Sequence, residues 1–129
     1  TDFLASILNQ NMVPVFSAIT HDGQGQLFNT NADTIASTIA VALASTYDVR
    51  LIYSFEKKGV LKDINDENSI ISSINEANFN SFVEQKIIAD GMIPKISNAL
   101  QAVEKGVAQV IIKNANDLLD EFAGTIVTK

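Results

Sequence analysis

Apolar residues in this chain come in short groups whose spacing changes along the sequence, and the changes mark out elements. Phe3, Leu4, Ile7 and Leu8 recur at helical spacing behind Thr1-Asp2, which predicts a short helix ending near Asn11. Met12 to Ile19 is a compact apolar run with β-branched residues and an early proline, and predicts a buried strand. The turn cluster from His21 to Gln26 interrupts it, and the Asp22-Gly23 pair predicts a hairpin returning over Gln26 to Asn29. From Asn31 to about Thr46 the period is helical: Ile35, Ile39 and Leu43 are four apart, and Ala36, Ala40 and Ala44 permit close approach to a sheet. Val49 to Ser54 predicts the next strand. The stretch from Ser73 to Ile88 contains a helix that turns Phe79, Phe82, Val83 and Ile87 inward, as core rather than as ligand contacts. A further helix starts after Asp90-Gly91, because Pro94 is tolerated only in a first turn. It buries Ile96, Leu100 and Val103 and stops at Gly106. Val107 to Ile112 reads as a strand, Asn116 to Phe122 as a short helix and Gly124 to Thr128 as a last strand. Helices alternating with strands predict an α/β fold, an open, mostly parallel sheet flanked by helices, in one domain over residues 1–129.

Composition narrows the function. With 47% hydrophobic and 19% charged residues, the chain belongs with globular domains and away from disordered ones. A net charge of −6 leaves no basic stripe for nucleic acid. The absence of cysteine excludes a disulfide framework and a thiolate metal site, and is compatible with the cytoplasm. The most apolar stretch, Ile35 to Ala44, is too short to span a bilayer, so no membrane partner is expected. Residues 1–12 lack the basic start and small-residue cleavage site of a signal peptide. No metal ligands are expected either. His21 has no second histidine to accompany it, and the acidic loop from Lys62 to Asn68 lacks calcium-hand spacing. An opening helix with a fully developed apolar face reads as the excised half of a longer chain.

Two polar junctions carry the candidate chemistry. In Asn29-Thr30-Asn31-Ala32-Asp33, Asn31 suits an N-cap and Asp33 the first turn, so capping explains both. Capping does not explain Asn29, which alternate spacing on the incoming strand places on the same side as Asn31. In Asp90-Gly91-Met92-Ile93-Pro94-Lys95 a lysine occupies a first turn, where the helix dipole disfavours a cation by about half a kcal/mol. An anion at the helix start would make that lysine favourable. The two helix starts are therefore expected to face one phosphate-binding site. Phe55 to Leu61 follows a strand's carboxyl end, where open α/β sheets receive ligands. Gly23 and Gly25 read as turn glycines and not as a phosphate loop.

Val13-Pro14-Val15, the run from Leu27 to Asp33, Gly59-Val60-Leu61, Gly91-Met92-Ile93-Pro94-Lys95 and Gly124-Thr125-Ile126-Val127 occur in this order. Together they resemble the carboxy-terminal half of the acetylglutamate kinases, a branch of the amino-acid kinase family, over nearly the whole chain. The resemblance implies the second half of that family's αβα sandwich and phosphoryl transfer from ATP to the side-chain carboxylate of an N-acylated glutamate, in arginine biosynthesis. It implies that Lys95 stabilises charge on the transferring phosphoryl group and that Asp33 holds the catalytic lysines. It also implies that Asn29 contacts the acylglutamate with support from Asn31. The nucleotide would lie against Glu56, Gly59, Val60 and Leu61, against Ile87, Ile88 and Ala89, and against Gly91 and Met92, with Mg2+ bound through its phosphates. The missing amino-terminal domain, with its glycine-rich phosphate loop and most of the acylglutamate pocket, is an implied partner. The full-length enzyme is expected to be a cytoplasmic homo-oligomer, and the fragment alone is expected to be inactive. Phe55-Glu56-Lys57-Lys58 departs from the Thr-Asp-Val-Pro-like run of relatives, which puts side-chain contacts to ATP there in doubt. The alternatives are an N-succinylglutamate kinase or another member of the family with a different acceptor, and a non-catalytic nucleotide-binding module in which both motifs only cap helices.

Overall fold

The computed structural model describes residues 1–129 and has two sheets. A hairpin pairs β1 (Ile19–His21) with β2 (Leu27–Asn29), the Asp22-Gly23 turn between them, as the sequence predicts. The main sheet contains β3 (Arg50–Phe55), β4 (Ser73–Ile74), β5 (Gln109–Asn114) and β6 (Thr125–Val127), in the spatial order β3-β5-β6-β4. β3 runs parallel to β5 and β4 parallel to β6, whereas β5 and β6 are antiparallel. Two of the three pairings are thus parallel, and the sheet is mixed.

Helix α2 (Ala32–Leu43) packs on β3 and on α4 (Met92–Glu104), which in turn covers β5 and β6. Small residues make this approach possible: Ala40, Ala99 and Ala102 are buried, with Ala36 and Ala44 packed against them. Ile74, Ile96, Val110, Ile112 and Val127 are fully enclosed. Each such side chain contributes roughly 1.5–3 kcal/mol of apolar burial. Helix α3 (Glu76–Glu84) lays Phe79, Phe82 and Val83 against the same core, followed by Ile87.

Three expectations need correction. Met12 to Ala18 is not a buried strand. A strand needs a neighbour to take its backbone hydrogen bonds, and the backbone of Val13 to Ser17 makes none with the rest of the chain; Val13 and Val15 are 86% and 92% exposed. Helix α1 (Asp2–Leu8) forms but buries none of its residues, because no core surface lies beneath its apolar face. The helix expected within Ser73 to Ile88 is there and runs from Glu76 to Glu84. Ser73 and Ile74 are taken by pairing with Ile126 and Val127, and a reciprocal capping box between Asn75 and Asn78 sets its start. Asn116 to Phe122 is a single 3₁₀ turn at Ala115–Asp117 followed by turns, with Leu119 and Phe122 exposed. No helix is long and apolar enough to cross a membrane.

Candidate active site

The two polar junctions meet. Helix α2 begins where its capping residue dictates: Asn31 Oδ1 accepts hydrogen bonds from the Asp33 and Thr34 N–H groups at 2.8 and 3.2 Å. That leaves the Asp33 carboxylate free of its own helix. Helix α4 begins at Met92 after Asp90, whose φ of +46° marks the sharp entry, and carries Lys95 one turn in. Lys95 Nζ donates to Asp33 Oδ2 at 2.6 Å across the helix pair. The lysine side chain is 15% exposed and the aspartate 29%, so the pair is shielded yet reachable.

β3 floors the pair. Alternation along this strand puts Leu51, Tyr53 and Phe55 on the helix-covered face. The Tyr53 ring centroid lies 4.8 Å from Lys95 Nζ and that of Phe55 5.9 Å. The Tyr53 hydroxyl donates to the Asp33 carbonyl at 3.2 Å. Burial pushes the Tyr53 phenol above its ordinary value; the neighbouring Ser37 hydroxyl opposes this and the Asp33 charge adds to it.

The helix starts offer few free amides. Asn31 occupies two donors of α2, the Met92 and Ile93 N–H groups of α4 donate to the Ala89 and Asp90 carbonyls, and Pro94 has none. Positive charge at this place therefore rests chiefly on the Lys95 ammonium. Asn29 ends β2 in register with Ile19 and is exposed, and Asn31 is exposed with its side chain committed to the cap.

The remaining candidates divide between surface and core. Glu56 is exposed, and its carbonyl accepts from Asn114 Nδ2 at 2.6 Å. Gly59, Val60 and Leu61 are buried, and both backbone groups of Val60 are used inside the fold. Its N–H donates to Thr125 Oγ1 at 2.8 Å and its carbonyl accepts from the Ile71 N–H at 2.8 Å. Ile88 is a core residue, flanked by the half-buried Ile87 and the exposed Ala89, while Gly91 is exposed and Met92 half-buried.

Sequence reasoning missed the supports. Thr125 Oγ1 also donates to the Ile71 carbonyl at 2.7 Å, so one hydroxyl joins three segments. Gly59 lies so close that a Cβ there would stand 2.8 Å from that oxygen. Lys113, 2% exposed, donates to the Asp120 carbonyl at 2.7 Å and reaches that of Asp117 at 3.4 Å, fixing the loop after β5. Tyr53 and Phe55 had only a partial signal in the sequence: alternate spacing with Leu51 puts them on one face of β3 but does not name what lies over it.

Residues 1–114 match the profile described as the amino acid kinase family. The chain belongs to the amino acid kinase family. Within it, the chain is 51% identical over 127 residues to an acetylglutamate kinase of Phocaeicola vulgatus, covering 98% of this chain and 49% of that protein. It is 53% identical over 117 residues to an acetylglutamate kinase of Parabacteroides distasonis, covering 91% and 46%. The chain thus spans about half the length of these relatives. An N-acetylglutamate synthase of Neisseria gonorrhoeae, solved with coenzyme A and N-acetyl-glutamate, superposes over 100% of this chain and 30% of its own with a TM-score of 0.85. At 24% identity it supports the amino acid kinase fold alone.

Proposed function

We propose that this chain is the nucleotide-binding, carboxy-terminal half of an acetylglutamate kinase, which transfers the γ-phosphoryl group of ATP to the side-chain carboxylate of an N-acylated glutamate. The observation that carries the reading is the Lys95–Asp33 pair, drawn from two separate helix starts to 2.6 Å. It occurs in a chain about half identical to acetylglutamate kinases.

The chemistry suits these groups. The acceptor carboxylate is ionised at neutral pH, so no general base is required. One of its oxygens attacks the γ-phosphorus, the bond to the bridging oxygen breaks, and ADP leaves with the electron pair. The obstacle is charge, since two anions must meet. Lys95 places an ammonium where negative charge accumulates on the phosphoryl oxygens, and Asp33 fixes its direction. Magnesium is assigned to the nucleotide phosphates, where it would supply further neutralisation when bound. Within the same reading, an amino-terminal half supplies the phosphate loop and most of the acylglutamate pocket, with Asn29 turned to the substrate. The complete enzyme is a cytoplasmic homo-oligomer.

The test is an assay of the complete polypeptide with ATP, magnesium and N-acetyl- or N-succinyl-L-glutamate, trapping the acyl phosphate with hydroxylamine. The expected product is an acceptor-dependent hydroxamate, with none formed by the 129-residue chain alone. Absence of product with every N-acylglutamate, or turnover by the short chain, contradicts the proposal.

A further inference from the structure

We propose that Tyr53 and Phe55 are positioning residues for phosphoryl transfer, forming an aromatic seat that holds the Lys95 ammonium in its working orientation. The inference rests on the phosphotransfer reading above for its consequence, though not for its geometry.

The argument begins with freedom. A lysine ammonium sits on a flexible four-carbon stem, and one hydrogen bond to Asp33 fixes only one direction. Two ring centroids at 4.8 and 5.9 Å restrict it from other sides. A ring face attracts a cation without consuming a strong acceptor and without adding net charge. The ammonium thus gives one N–H to Asp33 and keeps donor capacity for an incoming phosphoryl oxygen. A second carboxylate in place of the rings would hold the lysine equally well but would make the site net negative and repel the phosphate. Tyr53 also ties the seat to the counter-ion: its hydroxyl donates to the Asp33 carbonyl, so ring, carboxylate and ammonium form one unit. Tyr53 is 4% exposed, which keeps water from competing for the cation on its side.

A purely structural role is separable from this one. Tyr53→Leu keeps an apolar side chain in the core but removes the π face, Tyr53→Phe keeps the face, and Phe55→Leu removes the second ring. In the complete polypeptide, Tyr53→Leu and Phe55→Leu should lower kcat between about threefold and about thirtyfold, with KM values changed less than about twofold. Tyr53→Phe, which keeps the face and loses only the hydroxyl contact to Asp33, should lose less kcat than Tyr53→Leu. In parallel, the Lys95 Cε methylene protons should show a ring-current upfield shift in NMR spectra of wild type and Tyr53→Phe that is lost in Tyr53→Leu. Unchanged kcat in both leucine variants, or an unchanged Lys95 shift in Tyr53→Leu, overturns the proposal. If Tyr53→Leu does not fold, Phe55→Leu decides by the same two readouts. A wild-type protein without turnover refutes the phosphotransfer reading instead, and the ring-current shift alone then decides the seat.

Discussion

Lys95 and Asp33 each account for what is odd in the other. A lysine in the first turn of α4 opposes the helix dipole, and a carboxylate at the start of α2 exceeds what the Asn31 cap requires; their contact at 2.6 Å removes both oddities. The pairing was foreseeable from the two motifs, but the aromatic floor was not, because alternation names the buried face of β3 without naming what stands above it. Tyr53 brings a measurable pH dependence. Burial raises its folded-state value above the ordinary 10.0 that the unfolded chain keeps. Its contribution to stability is therefore complete below about pH 10 and is lost as pH rises through the higher folded value. Denaturation midpoints measured across the alkaline range should fall with pH in wild type and fall less in Tyr53→Phe. Parallel curves would contradict the assignment.

Between elements, one hydroxyl joins more of the site's surroundings than any helix contact. Thr125 accepts from the Val60 N–H and donates to the Ile71 carbonyl, holding the segment after β3 against β6. Thr125→Val has nearly the same shape but leaves a buried N–H and a buried carbonyl without partners. The expected loss is about 2–4 kcal/mol, read from urea midpoints at constant m. A change below about half a kcal/mol would show that the junction relaxes without cost. Elements with their own start signals were legible: α2 from Asn31, α4 from Gly91 and Pro94, and the hairpin from Asp22-Gly23. Elements that depend on distant partners were not. Ser73-Ile74 is a strand only because β6 runs beside it. Leu118, Leu119 and Phe122 suggest a helix in sequence, yet the Asp117 and Asp120 carbonyls turn to the buried Lys113 ammonium instead. No local pattern announces that lysine.

Across the whole molecule, the apolar surface is uneven. The main sheet and its helices are packed over a continuous core, whereas Val13, Val15 and Phe16 in the unpaired run and Leu27 and Phe28 in the hairpin are exposed, as are Phe3, Ile64, Leu119 and Phe122 elsewhere. Under the proposed reading the run and the hairpin are what an amino-terminal half covers, with Asn29 at the hairpin's end. The lack of a paired strand beside Val13 to Ser17 explains why the Met12 to Ile19 run misled: apolarity reports that a segment is to be buried, not by what. The central claim is that Lys95 acts on the transferring phosphoryl group and not merely on binding. The most direct measurement is steady-state kinetics of Lys95→Ala in the complete polypeptide, with ATP and N-acylglutamate varied in turn. The account predicts a kcat reduced by at least about a hundredfold with KM values changed only a few-fold. An unchanged kcat with raised KM would contradict it.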